Sequence, residues 1–186
     1  RLSGRLQDTV VALISDHGHN LGDSNLTGKQ GHPLTRAVAD LIMMMRHPQG
    51  EAAGTCCDAL CYNFDLTTTL MSMLGEEIPE AMEGIDLWPI VRGEKPGREY
   101  VTIGWGPEVT FIDERWWCNA TIWGANALLY DLTSDAQLTN NLAEEHPEVV
   151  SRAVEAFLKD AGGEFPESIR DAPGAPGCTP ILESDQ

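Results

Sequence analysis

Positive charge is scarce in this chain. Twelve lysines and arginines stand against 29 aspartates and glutamates, a net charge of −17 over 186 residues. Such a field repels phosphate backbones and anionic lipid surfaces, so nucleic acid and membranes are not expected as partners. A strongly solvated surface accounts for the excess. Long apolar runs are missing too: no stretch reaches the roughly 18 residues that a membrane-crossing helix needs. A disulfide framework is also missing. Cys56, Cys57, Cys61, Cys118 and Cys178 number five, an odd count without regular spacing. Cys57-x-x-x-Cys61 has no matching His/Cys pair for zinc, so the thiols read as small buried hydrophobes. No internal repeat is present.

What the chain has is enough apolar surface for a globular core, 42% of its residues. Its length suits one domain of ordinary size. The run Thr9 to Ile14 has the length and β-branched content of a buried strand. Ala37 to Met45 reads as a second buried strand, although a helix gives the same apolar run. Cys57 to Tyr62 reads as a short strand. Asp65 caps a helix that runs through Met73, and Gly75 ends it. Leu87 to Val91 reads as a helical turn.

From Arg98 the pattern changes. Tyr100 to Trp105, Val109 to Ile112, Trp116 to Trp123 and Ala127 to Leu132 predict a small antiparallel sheet. Pro147 to Ala161 is amphipathic, with Val150, Val154, Phe157 and Leu158 at helical spacing, Pro147 at its start and Gly162 at its end. The last residues, rich in Pro, Gly and acids, read as an irregular tail. The segments are therefore 1–97, 98–162 and 163–186.

The chemistry gathers where the first apolar run stops, at Ser15-Asp16-His17-Gly18. Two potential metal ligands then lie at the carboxyl end of a strand, where open α/β sheets build their sites. Asp16 offers a hard oxygen suited to Ca²⁺, Mg²⁺ or Mn²⁺; His17 offers a nitrogen that suits Mn²⁺ or Zn²⁺ better. On spacing alone, a loop aspartate beside an exposed histidine explains the pair equally well. The Gly- and His-containing loop that follows, to Pro33, has the length of a functional loop. Lys29 supplies a point positive charge. His19 and His32 are close enough in sequence to line the same pocket and donate to an anion or leaving group. His47 reads as structural and His146 as a surface residue. Trp116, Trp117 and Trp123 read as core packing, with a stacking wall for a sugar or aromatic substrate as the alternative.

Taken together, Ser15-Asp16-His17-Gly18, Leu21-Gly22-Asp23 and Gly28-Lys29 resemble the second metal-site segment of the sulfatase-like hydrolases of the alkaline phosphatase superfamily. Further likenesses follow in the family's order. Ala39 to Pro48 resembles the next strand with its "R-x-P" ending. Asp65-Leu66-Thr67-Thr68-Thr69-Leu70 with Gly75 resembles the "D-x-x-P-T-L…G" helix, with Thr where proline is usual. Gly84 to Ile90 resembles "G-x-S-L-x-P-L". Leu129-Tyr130-Asp131-Leu132 with Asn141-Leu142-Ala143 resembles the "L-Y-D-L…D-P-x-E…N-L-A" signature, although Asp135-Ala136-Gln137-Leu138 departs from "D-P-x-E". The likeness covers about Val10 to Gly162.

The resemblance implies an α/β chain: the C-terminal part of an alkaline-phosphatase-like sheet-and-helix domain, then a small antiparallel sheet with a packed helix. It implies Asp16 and His17 as metal ligands, Lys29 on the transferred sulfuryl or phosphoryl oxygens, and roles beside it for His19 in binding and His32 in catalysis. The implied cofactor is a divalent metal, Ca²⁺ first, with Mn²⁺, Mg²⁺ and Zn²⁺ as alternatives. In the family the first aspartates and the nucleophile precede this strand, the latter in "C/S-x-P-x-R", whose Cys or Ser becomes formylglycine. Here the only Cys-x-Pro, Cys178-Thr179-Pro180-Ile181-Leu182, has Leu182 where Arg is needed, so formylglycine is not available in this chain. The expectation is thus the C-terminal portion of a sulfatase, catalytically incomplete by itself. The alternatives are a phosphonate or phosphate ester hydrolase of the same superfamily, or a non-catalytic oligomerising or binding module. A homodimer is expected, and a periplasmic or secreted location if the intact protein is a sulfatase.

Overall fold

The structure is a computed structural model that describes residues 4–22, 25–29 and 33–172, together with the backbone of Thr179–Pro180. It divides into two compact units, Arg1–Asp16 with Leu41–Glu99, and His17–Asp40 with Tyr100–Gln186. Among the described residues no helix is long and apolar enough to cross a membrane.

In the first unit, strands β1 (Val11–Ile14) and β4 (Met43–Arg46) form a two-stranded antiparallel ribbon, with Leu13 opposite Met44 and Ile14 opposite Met43. Two expectations change here. The Thr9 to Ile14 run is a strand but not a buried one: all four β1 side chains are exposed. Its apolar pattern calls for cover on both faces, and neither edge of the ribbon pairs with a third strand among the described residues. Ala37 to Met45 is not a single strand. It breaks into a helical turn α1 (Arg36–Ala39) and β4, because the amide of Asp40 closes back onto Arg36.

The rest of this unit is organised around Asp65. It begins helix α2 (Asp65–Leu74), which ends at Gly75 in the left-handed conformation, as read from the sequence. Asp65 is not an N-cap. Its fully buried carboxylate accepts from the Tyr62 amide at 2.7 Å and the Ile85 amide at 2.8 Å. It also accepts two bonds from the Arg98 guanidinium, at 2.6 and 3.3 Å. Arg98 in turn lies over the Tyr62 ring at 4.8 Å. Cys57 to Tyr62 forms no strand, because Leu60 makes only an isolated bridge to Arg98. The helical turn α3 (Trp88–Val91) is as expected, and His47 stacks on Trp88 at 5.0 Å, a structural role.

In the second unit, a short hairpin of β2 (Asn20–Leu21) and β3 (Leu26–Gly28) precedes a four-stranded meander. The meander strands are β5 (Tyr100–Trp105), β6 (Glu108–Asp113), β7 (Trp116–Thr121) and β8 (Leu128–Asp131), each antiparallel to the next. Helix α4 (Pro147–Asp160) packs on one face of it. Val109, Phe111, Trp116, Cys118, Ala120 and Leu129 from the sheet meet Val149, Ala153, Ala156 and Phe157 from the helix. The helix stripe is turned from the expected one: Phe157 is in the core, Val150 and Val154 flank it, and Leu158 faces out. Small Ala153 and Ala156 let the helix approach the sheet, a signal that large apolar residues alone do not give.

Trp116 and Trp117 are core residues, whereas Trp123 is exposed. Among the described thiols only Cys118 is buried, and burial pushes it up to about 12. Cys56 and Cys57 are exposed and Cys178 lies outside the described residues. The tail contains a helical turn, α5 (Glu167–Arg170), and a strand, β9 (Thr179–Pro180), that pairs with β3.

Candidate functional site

Ser15 ends β1 by adding one more step to the ribbon. Its amide donates to the Ile42 carbonyl at 3.1 Å and its hydroxyl accepts from the Ile42 amide at 3.1 Å. Asp16 follows, exposed, as the last residue of the first unit. His17 opens the second unit, also exposed, with Nδ1 2.8 Å from the Gly18 carbonyl. A proton on Nδ1 makes that contact a hydrogen bond and leaves the lone pair on Nε2, the tautomer a metal ligand uses.

Gly18 is required by space rather than by backbone angle. Its amide donates to the Val38 carbonyl at 2.9 Å, and a Cβ on it would sit 1.9 Å from the Ala37 carbonyl oxygen. No other residue type fits there without moving the 37–38 backbone.

The hairpin comes next. Asn20 lies opposite Gly28, so the register extended by one step sets His19 opposite Lys29. Both are exposed. His19 and Lys29 each lie one residue beyond the paired ends of the hairpin, with His17 two residues before His19. His32 lies outside the described residues. Among the described residues, no group of three His, Cys, Asp or Glu side chains is set to hold a metal ion. Asp16 and His17 are two donors of the right chemistry for a divalent cation, one hard oxygen and one imidazole.

Two buried amides escaped the sequence reading. Asn20, fully buried, donates to the Gly28 carbonyl at 3.2 Å and accepts from the Thr35 hydroxyl at 2.9 Å. It therefore ties the Lys29 end of the hairpin to residues 33–40. Asn119, also fully buried, clamps that segment to the meander. It accepts from the Leu34 amide at 3.1 Å, donates to the Leu34 carbonyl at 3.2 Å, and accepts from Thr110 at 2.7 Å. An asparagine inside a largely apolar run was the available signal in β7. Asn20, within a polar loop, carried none.

Beside this clamp is an open cavity of about 630 Å³ lined in part by Leu34, Thr35, Arg36, Asn119, Tyr130 and Leu138. Arg36 is held by Asp40 at 2.7 Å and by the Ala136 carbonyl at 3.4 Å. Burial and the nearby Asp135 raise Tyr130. The departure from "D-P-x-E" leaves the turn itself intact. The Asp135 carboxylate accepts from the amides of Thr139 and Asn140, both at 2.8 Å. Burial pushes that carboxyl up, but those bonds outweigh it and hold it below the usual range.

No family model matches the chain. Individual relatives do. A multifunctional alkaline phosphatase superfamily protein of Trinickia caryophylli is 32% identical over 94 residues, 50% of this chain and 18% of that protein. The choline-sulfatase of Rhizobium meliloti is 29% identical over 166 residues, 83% of this chain and 31% of the enzyme. The phosphonate monoester hydrolase of Agrobacterium radiobacter superposes with a TM-score of 0.72 at 24% identity, over 87% of this chain and 36% of its own. A protein solved with its substrate D-glucosamine-2-N,6-O-disulfate superposes with a TM-score of 0.74 at 17% identity, over 90% and 37%. Sulfatases and a further protein of the alkaline phosphatase superfamily are thus similar to this chain over half to most of its length, and its fold matches the C-terminal portion of the solved sulfatase-type structures. It spans less than a third of the length of the two curated relatives named and under half of the two solved structures.

Proposed function

We propose that this chain forms the C-terminal part of a metal-dependent sulfate ester hydrolase. Asp16 and His17 ligate a divalent cation, Ca²⁺ first and Mn²⁺, Mg²⁺ or Zn²⁺ otherwise. Lys29 contacts the oxygens of the sulfuryl group as a point charge, with His19 and His32 beside it. The observation that carries the reading is the turn at Asp16-His17-Gly18. The close approach of Gly18 to Ala37 fixes the backbone just after the two donors, and the Nδ1 contact of His17 selects the ligating tautomer.

The cation, when bound, supplies Lewis-acid polarisation of the ester oxygens. The ammonium of Lys29 stabilises charge on the equatorial oxygens as the ester bond breaks. His19, across the hairpin, donates a hydrogen bond to the same anion. In a chain of net charge −17 this local cluster is what admits an anionic substrate. A secreted or periplasmic location goes with the reading.

The 186 residues contain no "C/S-x-P-x-R" segment, so by themselves they are not expected to turn over aryl sulfates at about 1 s⁻¹ or faster. Calorimetry of the chain with Ca²⁺, Mn²⁺ and Zn²⁺ is expected to show binding weaker than micromolar. Two protein ligands leave most of a hard cation's roughly six to eight positions to water. Asp16→Ala and His17→Ala should each abolish that binding. A submicromolar site that survives both substitutions overturns the assignment. A second reading, a phosphonate or phosphate ester hydrolase, is favoured by the 32%-identical relative, whose name is multifunctional. Faster aryl phosphate than aryl sulfate turnover by the product of the complete reading frame would select it. Turnover of neither would leave a non-catalytic module.

A further inference from the structure

The five tryptophans divide into two sets. Trp88, Trp116 and Trp117 are buried, whereas Trp105 and Trp123 are 47% and 64% exposed. Both exposed rings belong to the second unit. Strands β5 and β7 each run antiparallel to β6, so their carboxyl ends coincide, and both rings stand at that end of the meander. Trp105 lies directly opposite Glu108, across the two-residue turn Gly106-Pro107. Gly106 takes the left-handed conformation at φ 58°, and the ring of Pro107 fixes its own φ. Trp123 lies in the turn that leads out of β7. There the Gly124 amide donates to the Thr121 carbonyl at 2.8 Å, and the Thr121 amide to the Ala125 carbonyl at 3.0 Å. The Ala125 amide donates to the Thr121 hydroxyl, also at 3.0 Å. The Ile122 amide donates to the Pro107 carbonyl at 2.8 Å and ties the two turns together. That bond keeps the Cα atoms of Trp105 and Trp123 within roughly 18 Å of each other.

We propose that Trp105 and Trp123 form a platform for a neutral saccharide chain. A pyranose ring has a face of C–H groups that lies flat on an indole, and its rim hydroxyls bond to water or to a neighbouring carboxylate. Three observations select this occupant. The first is charge. Arg115 and Arg152, bonded to Asp131 and Asp113, stand at the opposite end of the sheet. The sequence has no Lys or Arg from Glu99 to Glu114 or from Trp116 to Ser151, and the charge beside Trp105 is Glu108. A sulfated chain or an anionic lipid surface would meet a carboxylate and the field of a −17 protein, with no cation in either turn to receive it. The second is area. Two partly exposed indoles offer on the order of 300 Å², against about 800 Å² per partner in a stable protein interface. The third is rigidity. Both rings stand on closed turns, so a flat, weakly held ligand loses little to ordering of the site. The proposal does not rest on the catalytic reading, since neither the Asp16 turn nor the hairpin that leads to Lys29 takes part in it.

The test titrates the product of the complete reading frame with unsulfated hexasaccharides of glucose, xylose and N-acetylglucosamine, read by tryptophan emission. Saturable binding is expected, unchanged by salt and by added inorganic sulfate. Trp105→Ala and Trp123→Ala are each expected to weaken it at least about 10-fold with the urea midpoint unmoved, and Trp123→Tyr to retain most of it. Binding to none of the three hexasaccharides overturns the proposal, as does binding that survives the double alanine substitution. Heparin bound in place of the neutral chains overturns it as well. Self-association of the parent that both alanine variants lose overturns it in favour of a second copy. The probes carry no ester and no metal enters the titration, so failure of the proposed hydrolase reading leaves this result standing.

Discussion

Strands β7 and β1 are both largely apolar and both sit in antiparallel sheets, yet every residue of β7 is buried and every residue of β1 is exposed. The difference lies in their neighbours. β7 has a strand on each side, α4 on one face, and the Leu34 segment bonded to Asn119 on the other. β1 has one partner strand. Apolar composition shows what a segment is built to bury, and only the surrounding layers decide whether it is buried. The same contrast separates the thiols. Cys118, on β7, is inaccessible, whereas Cys56 and Cys57, in a connection, are exposed.

The largest test of this contrast is truncation in each sheet. Trp117→Ala removes a nearly fully buried ring and should cost about 3–5 kcal/mol. Leu13→Ala in the same chain should stay within about 0.5 kcal/mol. Urea denaturation of both variants checks this, and equal losses would show that the ribbon is buried in solution after all. A middle-sized effect belongs to Gly18→Ala. The added methyl collides with the Ala37 carbonyl, so a loss of about 1–3 kcal/mol is expected, together with faster amide exchange at Gly18. A neutral result would mean that residues 37–38 are free to move aside.

The smallest expected effect is a titration in the meander. The Thr133 hydroxyl and then the Arg115 guanidinium hold the Asp131 carboxyl down, to about 2 from an ordinary 3.8. A depressed carboxyl adds stability above its unfolded value and loses it as pH falls through its folded one. Thr133→Ala should therefore narrow the loss of stability between about pH 4 and pH 2, and leave stability near pH 7 lower. Denaturation midpoints at pH 2, 3, 4 and 7 measure it. A variant that tracks the parent in parallel across that range would remove Thr133 from the account.

Much of the fold was legible. The meander, α2 with its Gly75 stop, α3 and α4 each announce themselves by periodicity and by Pro or Gly at their ends. The Asp-His-Gly turn was legible because a hard apolar run stops there. What could not be read depended on partners distant in sequence. Asp65 looks like a helix cap until Arg98 and the Ile85 amide arrive to bury it. Asn20 looks like a loop residue until Thr35 folds back on it. The burial of β1 was misread because the pattern reports a demand for cover, and the cover itself is not part of the pattern. The pairing of Asn20 with Gly28 required the hairpin register, which a two-residue strand gives no pattern for.

The Leu34–Asn119 clamp also sets an order of events. Its partners are 85 residues apart in sequence, and closing a loop of that length costs on the order of 4 kcal/mol in chain entropy. The meander, built from adjacent hairpins, closes far shorter loops and can form first. The segment that carries His17, His19 and Lys29 is therefore made before the sheet it docks on but settles after it. Until β7 exists, it has nothing to dock on. The residues proposed to do the chemistry depend for their placement on a sheet encoded well downstream of them.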